Sequence, residues 1–363
     1  MPDPIKPVRV MIIDDSAVAR QILSTNISTD TMIQVVGSAT DPYDARDKII
    51  KLKPDVVTLD IDMPRMDGLT FLRKLMKFYP IPVIIVSSLS QQGSQAAYDA
   101  MTSGAVDVVC KPSTTQQLKL LGSELQEKIK SAATAKLSKY LTTTPQRVEQ
   151  PQIRSPAIVK STGSAHATPG VFVAIGSSTG GTQALRHLLA QLPANFPPVV
   201  IVQHMPLSFT ESFAESLDRI SPMTVLHAQH GDKLQTGTVL LAPGETHMVL
   251  HPIGNAYEVR LKNGPKINRH KPSVDVLFKS VAQHAGSKAL GVILTGMGDD
   301  GARGLLAMHQ KGSRTIGESE SSCVVYGMPR EAHEMGAVEV QLPLDQIARR
   351  LTAWVNQPSR RSA

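Results

Sequence analysis

The stretch V-F-V-A-I-G-S-S-T-G-G-T-Q-A-L-R-H-L-L-A, residues 171–190, joins an apolar run to an amphipathic segment through a glycine-rich turn. A short apolar run that ends at glycine is typical of a buried β-strand, and the segment after the turn reads as a helix. Strands that alternate with helices form parallel sheets covered on both faces. The stretch therefore predicts an α/β fold, and it leaves open what the turn Gly176–Gly181 does.

The same alternation extends over most of the 363 residues, which are enough for two domains. Five apolar runs near the N-terminus predict a five-stranded (β/α)5 domain whose last helix spans about residues 115–130. The C-terminal half predicts a doubly wound, mostly parallel sheet, with some antiparallel pairing within about 224–262. The predicted organisation is a first domain at 1–131, a flexible linker at 132–168, a second domain at 169–357 and a tail at 358–363.

The net charge of +7 raises the possibility of a nucleic-acid-binding protein, but its distribution argues against one. Residues 1–131 are neutral overall and residues 169–357 carry a net charge of +1, so the excess lies in the linker and the tail. A basic face typical of nucleic-acid binding is therefore not predicted.

The sequence contains no apolar run of the ~18 residues that a membrane-spanning helix needs. Its N-terminus lacks the apolar core of a signal peptide. Cys110 and Cys323 lie in strand-like runs and offer no disulfide framework. We expect a cytoplasmic, monomeric protein without membrane insertion.

Carboxylates follow the predicted strands of the first domain. Asp14 and Asp15 end the first strand and Asp60 ends the third, where ligands bind in open α/β sheets. Oxygen ligands in a partly open site suit Mg²⁺. Ser87 ends the fourth strand and Lys111 follows the fifth, so a hydroxyl and an ammonium lie beside the predicted ion. The set predicts a site at which a carboxylate accepts a phosphoryl group.

The motifs I-I-D-D-S, T-L-D-I-D-M-P-R-M-D-G, V-S-S and C-K-P resemble the receiver domain of two-component response regulators over residues 8–131. The resemblance implies that Asp60 is the phosphoacceptor and that a histidine kinase is the phosphodonor. It also implies that Ser87 and Lys111 are switch residues. Mg²⁺ would then be held by Asp14, Asp15, Asp60 and the backbone carbonyl of Asp62.

Neither phosphate-binding motif fits the turn of the second domain. A P-loop needs lysine where Thr182 stands, and a dinucleotide fingerprint needs glycine where Ser178 stands. Gly176-x-Ser178-x-Gly180 instead matches G-x-S-x-G between a strand and a helix, which favours a serine nucleophile. A serine that caps a helix is the simpler alternative.

A nucleophilic serine needs a base and a residue that orients the base. His204 ends the next predicted strand, and Asp299 and Asp300 follow another, so a shared crevice is plausible. The spacing of His227 and His230 suits a metal, but without a Cys or acidic partner nearby we favour a surface turn. His247 and His270 lie near turns, either as pocket residues or as satisfied loop histidines.

The second half resembles the chemotaxis protein-glutamate methylesterases over residues 169–356. The resemblance rests on A-I-G-S-S-T-G-G, Q-H-M-P, A-P-G-E-T-H-M, R-H-K-P-S-V-D-V-L-F, I-L-T-G-M-G-D-D-G and Y-G-M-P-R-E-A. It implies that Ser178 is the nucleophile, His204 the general base and acid, and Asp300 the orienting residue. The amide of Met297 would donate to the oxyanion, with Thr179 close by. Asp299 and Ser177 depart from the family pattern and add a rival carboxylate and a rival hydroxyl.

Together the two resemblances imply a phosphorylation-activated serine esterase that hydrolyses glutamate γ-methyl esters on chemoreceptor helices and also deamidates glutamine. No cofactor is expected for the esterase step. The competing classes are a DNA-binding response regulator and an anion-binding output module. About 190 residues of β/α alternation with little net charge disfavour the DNA-binding class.

Overall fold

The computed structural model describes residues 6–63, 66–88, 91–111, 115–137 and 170–356. Its first unit is the predicted (β/α)5 domain, with a parallel sheet of strand order β2-β1-β3-β4-β5. The strands are β1 (Val8–Ile13), β2 (Ile33–Ala39), β3 (Val56–Asp60), β4 (Val83–Ser88) and β5 (Asp107–Lys111). The helices are α1 (Ala17–Ile27), α2 (Pro42–Leu52), α3 (Gly68–Phe78), α4 (Gln91–Thr102) and α5 (Thr115–Ala133).

Local chemistry sets the helix starts in this domain. Ser16 accepts a hydrogen bond from the Ala19 amide at the start of α1, and Asp41 caps α2 through the amides of Tyr43 and Asp44. These side chains satisfy amides that a helix leaves unpaired in its first turn. Apolar clusters cover both faces of the sheet, as a parallel sheet requires.

The second unit contains a seven-stranded sheet of order β14-β13-β12-β6-β7-β9-β8, in which every pairing is parallel. The strands are β6 (Phe172–Ser177), β7 (Val199–Gln203), β8 (Thr224–His227), β9 (Thr238–Leu241), β10 (His247–Ile253), β11 (Ala256–Lys262), β12 (Ala289–Ile293), β13 (Arg314–Glu318) and β14 (Val340–Leu342). The helices are α6 (Gly181–Leu189), α7 (Leu207–Asp218), α8 (Val274–His284), α9 (Ala302–Gln310), α10 (Met328–Glu334) and α11 (Leu344–Val355).

The strand order reverses at β6, which lies between β12 and β7. At such a point the loops that leave neighbouring strands diverge to opposite faces and open a crevice at the carboxyl edge. The segments that follow β6, β7 and β12 carry Ser178, His204 and Asp300. The topology alone therefore brings the three predicted residues to one edge of the sheet.

The structure confirms the antiparallel pairing predicted within 224–262, because β10 and β11 pair antiparallel in a separate two-stranded sheet. Three other details of the sequence interpretation are corrected. Helix α5 continues to Ala133, inside the predicted linker, whose residues 138–168 lie outside the described part. Cys110 lies in β5 as predicted, but Cys323 lies buried in the connection after β13. Helix α10, a short segment that starts with proline, was not predicted.

Candidate active site and acidic pocket

The turn between β6 and α6 holds Ser178 partly exposed at the edge of the sheet. The Ser178 amide donates to the Thr295 carbonyl at 3.0 Å, and its carbonyl accepts from the Gln203 side-chain amide at 2.9 Å. Gly180 has a left-handed φ of 79°, and a Cβ there would lie 2.5 Å from Val324 Cβ. A glycine is thus required, both for conformation and for space, if Ser178 is to sit at this position.

Ser177 is fully buried, and its hydroxyl donates to the side-chain oxygen Oε1 of Gln203 at 2.6 Å. A hydroxyl that is enclosed and already engaged cannot reach a substrate. The geometry therefore favours Ser178 over its neighbour as the exposed nucleophile.

His204 follows β7 and lies beside Asp300, with 2.8 Å between His204 Nε2 and Asp300 Oδ2. If Nε2 carries the proton and donates to the carboxylate, Nδ1 is the basic nitrogen. Nδ1 is buried and has no hydrogen-bond partner among the described residues. The imidazole therefore has the arrangement of an oriented base with a free acceptor nitrogen.

Asp300 is buried and accepts hydrogen bonds at both oxygens. Oδ1 accepts from Ser273 Oγ at 2.8 Å and from Asn268 Nδ2 at 2.9 Å, and Oδ2 also accepts from the Val274 amide at 2.7 Å. Burial alone would raise its pKa, but His204 and these donors outweigh burial and lower the pKa below its usual range. Asp300 is therefore held ionised, facing the imidazole.

The rival carboxylate, Asp299, has a side chain that is 48% exposed and lies 4.0 Å from Arg303. It has none of the buried donors that surround Asp300. The geometry therefore favours Asp300 over Asp299 for the orienting role that the resemblance implies.

The segment after β12 passes close to Ser178. A Cβ added at Gly296 would lie 2.7 Å from Ser178 Cβ and 2.4 Å from Met328 Sδ. Because Gly296 contacts the turn so closely, the next residue, Met297, begins beside Ser178. This position suits the oxyanion-donor role that the resemblance implied for the Met297 amide.

Sequence reasoning missed Asn268 and Ser273, whose side chains both donate to Asp300, and it left His270 undecided. The His270 ring stacks on the His204 ring, with centroids 3.7 Å apart and planes 5° apart. All three residues lie in or beside the R-H-K-P-S-V-D motif. The motif therefore marked this segment as part of the site, but it did not predict which side chains contact His204 and Asp300.

The other three histidines that the sequence singled out have hydrogen-bond partners in the structure. His247 is buried between the Pro265 carbonyl at 2.9 Å and the Ser273 amide at 3.2 Å. His227 ends β8, not a surface turn as predicted, and Nε2 lies 3.0 Å from Thr210 Oγ1. His230 is exposed, with Nδ1 3.3 Å from the Leu261 carbonyl.

The acidic residues of the first domain also converge. One carboxylate oxygen from each of Asp14, Asp15 and Asp60 lies within 4.8 Å of the others. Lys111 Nζ bridges Asp14 at 2.7 Å and Asp60 at 2.8 Å, and Ser87 is fully buried at the end of β4. Burial and the nearby Asp14 raise the pKa of Asp60, although Lys111 opposes them.

This donor set fits Mg²⁺. Three carboxylates on adjacent strands repel one another unless cations join them, and oxygen ligands suit this ion. Asp62 contributes no carboxylate to the cluster, and its amide donates to Asp60 Oδ1 at 3.3 Å. The resemblance implied that Asp62 binds Mg²⁺ through its backbone carbonyl, and that role stays a prediction.

The receiver-like domain contacts the turn that carries Ser178. Thr179 Oγ1 donates to Asp107 Oδ2 at 2.6 Å, and the Gly180 amide donates to the Val106 carbonyl at 3.3 Å. Asp107 also pairs with Lys128 Nζ at 2.7 Å. Burial alone would lower the pKa of Lys128, but the attraction of Asp107 and Glu124 outweighs it and the pKa is raised.

A second part of this interface is largely apolar. Tyr98 and Met101 of α4 line a shared apolar cavity with Phe209 and Phe213 of α7. Gln183 Nε2 of α6 donates to the Met101 carbonyl at 2.7 Å. In these two parts of the interface, α4 and β5 of the first domain contact α6, α7 and the Ser178 turn of the second.

Comparison with known proteins matches both halves of the chain. The family model of the response regulator receiver domain matches residues 10–121, and that of CheB methylesterase matches residues 173–351. The crystal structure of the Thermotoga maritima CheB methylesterase catalytic domain is 40% identical with a TM-score of 0.50, covering 51% of this chain and 98% of its own.

Relatives also match over the full length. A protein-glutamate methylesterase/protein-glutamine glutaminase of Syntrophotalea carbinolica is 49% identical over 357 residues, covering 97% of this chain and 99% of the relative. One of the same name from Pectobacterium atrosepticum is 47% identical, covering 96% of this chain and 97% of the relative. The chain therefore belongs to the CheB methylesterase family, with a response regulator receiver domain at its N-terminal side. Among the described residues, no helix is both long enough and apolar enough to span a membrane.

Proposed function

We propose that this protein is a phosphorylation-activated protein-glutamate methylesterase that also deamidates protein glutamine, with Ser178, His204 and Asp300 as its catalytic triad. The observation that carries the proposal is the His204–Asp300 pair at 2.8 Å, on the strand-end crevice that also holds Ser178. The substrates are glutamate γ-methyl esters on chemoreceptor cytoplasmic helices. The protein acts as a cytoplasmic monomer without nucleic acid.

The hydrolysis proceeds in two halves. Ser178 Oγ attacks the ester carbonyl carbon while its proton passes to His204 Nδ1, and the imidazolium that forms is stabilised by ionised Asp300. The tetrahedral intermediate then expels methoxide, which takes that proton from His204 and leaves as methanol. Water attacks the acyl-enzyme with His204 again accepting a proton, and the glutamate carboxylate is released as Ser178 recovers its hydrogen. Ser178 and His204 carry every proton transfer between protein and substrate in this sequence, and Asp300 stays ionised throughout.

The negative charge that develops on the carbonyl oxygen needs preorganised donors. The Met297 amide is the proposed donor because its segment passes against Ser178, and the N-terminus of α6 favours negative charge on the same turn. Thr179 lies beside this position. Glutamine follows the same route, with ammonia as the leaving group in place of methanol.

A serine-reactive fluorophosphonate tests the nucleophile directly. We expect mass spectrometry to place one adduct on Ser178, and we expect His204→Ala to slow labelling by at least a hundredfold because the base is gone. An adduct on buried Ser177, or labelling that does not depend on His204, would overturn the proposed triad.

Phosphorylation of Asp60 is the proposed switch, with a histidine kinase as donor. Mg²⁺, held by Asp14, Asp15, Asp60 and the Asp62 carbonyl, would neutralise the oxygens of the incoming phosphoryl group. Lys111 and Ser87 would bind that group once it is attached. Because Lys111 already bridges Asp14 and Asp60, a phosphoryl group must displace or share this ammonium.

In the unphosphorylated state the receiver domain covers the edge of the crevice. The contacts of Asp107 with Thr179 and of α4 with α7 support this proposal. A fragment that starts near residue 165 retains both apolar clusters of the second sheet, so it can be compared with the full-length protein. Higher activity of the fragment without phosphodonor is the expected result, and equal activity would rule out covering as the mechanism.

A further inference from the structure

His270 packs against the proposed base but has no part in the mechanism above. Its ring lies on the face of the His204 ring, with centroids 3.7 Å apart and planes 5° apart. His204 contacts Asp300 through its edge, at Nε2. The carboxylate fixes one atom of the imidazole, and the stacked ring restricts rotation of its plane.

The turn that presents His270 has an unfavourable backbone conformation. Ile267 and His270 exchange amide–carbonyl hydrogen bonds at 2.9 and 3.0 Å, which closes a tight turn. Asn268 and Arg269, at φ of 47° and 69°, are both in the left-handed region that residues with side chains rarely adopt. Strain of this kind persists where the surrounding structure requires it, and it concentrates at functional sites.

The same turn contacts the other member of the pair. Asn268 Nδ2 donates to Asp300 Oδ1 at 2.9 Å and to Asp275 Oδ2 at 3.1 Å. One four-residue turn therefore touches both the carboxylate and the imidazole. This double contact explains why the turn keeps two side-chain residues in the left-handed region.

A metal site is the alternative explanation, since His204, His270 and Asp300 each offer a ligand atom within 4.8 Å of the others. The lone pairs of an imidazole lie in the plane of its ring. Two rings stacked at 5° direct their lone pairs side by side and not toward one point. Asp300 Oδ2 is already engaged by His204 and Val274, so the geometry disfavours a metal.

His270 is suited to lie against a ring that becomes positively charged. Burial first, and then the neighbouring His204, lower the pKa of His270 to about 3. The ring is therefore neutral near pH 7 and does not repel an imidazolium. A neutral aromatic face attracts a cation placed over it.

We propose that His270 is a positioning residue, which holds the plane of His204 by stacking and presents a neutral aromatic face to the imidazolium formed during catalysis. This inference rests on the proposed function, because it assumes that His204 is the base. It assigns the effect to the aromatic face and not to the ring nitrogens.

Three substitutions in the full-length protein distinguish an effect of the aromatic face of His270 from an effect of its ring nitrogens. His270→Phe keeps a flat aromatic face, His270→Leu keeps apolar bulk without one, and His270→Gln keeps a polar group without one. Each is phosphorylated with a small-molecule phosphodonor and Mg²⁺, and kcat and KM are measured by methanol release from methylated receptor membranes. Thermal unfolding of each variant provides the folding control.

We expect His270→Phe to keep kcat within about threefold of the wild type, and His270→Leu and His270→Gln to lose roughly tenfold, with KM nearly unchanged. Equal loss in all three variants would overturn the inference, because the nitrogens would then matter. Wild-type kcat in the Leu and Gln variants would also overturn it. Ser178→Ala in the same assay tests the proposed function separately: if it is inactive, a failure of the His270 pattern concerns this inference alone.

Discussion

Thr179 and Asp107 are joined across the domain interface by a 2.6 Å hydrogen bond between Thr179 Oγ1 and Asp107 Oδ2. Thr179 is the residue after the proposed nucleophile, and Asp107 begins the last strand of the receiver sheet. Lys111, which bridges the acidic cluster, ends that same strand. The strand β5 thus has the proposed phosphorylation site at one end and the turn with the proposed nucleophile at the other.

Asp107→Asn is expected to raise the activity of the unphosphorylated protein by about five- to tenfold. The substitution weakens a hydrogen bond that involves a charged acceptor, a contribution of about 1.5–3 kcal/mol, and it removes the closer of the two carboxylates paired with Lys128. Methanol release without phosphodonor measures the effect. Asp30→Asn is the matched control, because Asp30 pairs with Lys130 of the same helix at the same 2.7 Å. Unchanged activity in Asp107→Asn, or an equal rise in Asp30→Asn, would contradict the idea that the Asp107 contact with Thr179 restrains the unphosphorylated enzyme.

We expect the ion pair between Arg269 and Glu127 to restrain the basal activity less than the Asp107–Thr179 contact does. It also crosses the interface, but the Arg269 side chain is 77% exposed, and such pairs contribute about 0–1 kcal/mol. Glu127→Arg should raise the basal rate by no more than about threefold, because it places like charges together. The double variant Glu127→Arg/Arg269→Glu should return the rate to the wild-type value. If Glu127→Arg raised the basal rate more than Asp107→Asn does, the exposed ion pair would contribute more than the Asp107 contact, contrary to this expectation.

Asp60→Asn should keep the basal rate and abolish stimulation by phosphodonor. The residue lies in the receiver sheet, in the cluster with Asp14 and Asp15, and outside the proposed triad. Removal of Mg²⁺ with a chelator should likewise block stimulation of the wild type and leave the basal rate unchanged. Loss of the basal rate in either experiment would contradict the separation of switch and catalytic site.

His270 should make the stability of the protein depend on pH. Its pKa falls from 6.5 in the unfolded chain to about 3 in the folded one. Between these values the unfolded state binds one more proton, so stability is lost as the pH falls, by about 1.4 kcal/mol per pH unit. Urea unfolding should show the wild type losing about 2 kcal/mol more than His270→Phe between pH 7 and pH 5. Parallel losses would show that the folded ring is protonated near its ordinary pKa.

Local periodicity and capping residues predicted most of the fold. The start of α1 after Ser16 and that of α2 after Asp41 follow from hydrogen bonds made within one turn of chain. The end of α5 could not be predicted in this way. Residues 135 and 137 pack against the receiver core, and the Lys136 amide bonds to the Val324 carbonyl of the other domain. That contact depends on how the domains meet, which no local pattern encodes.

The candidate site also combines features that the sequence predicts with features that depend on tertiary contacts. The convergence of Ser178, His204 and Asp300 was predictable because side chains that follow neighbouring parallel strands meet at one edge of the sheet. The alternatives Ser177 and Asp299 are disfavoured by the burial of Ser177 and by the exposure of Asp299. Neither property can be read from the sequence. The contacts of Asn268 and His270 with Asp300 and His204 were not predictable, because they depend on a tight turn in which both Asn268 and Arg269 have left-handed φ angles.

The most direct test of the central claim compares Ser178→Ala with Ser177→Ala in methanol release from methylated receptor membranes. The two hydroxyls are adjacent in sequence, but Ser178 is partly exposed, whereas Ser177 is buried and hydrogen-bonded to the Gln203 side chain. We predict that Ser178→Ala loses at least a thousandfold in kcat, whereas Ser177→Ala keeps activity within about tenfold, the cost of one buried hydrogen bond. Substantial methanol release by Ser178→Ala would contradict the account.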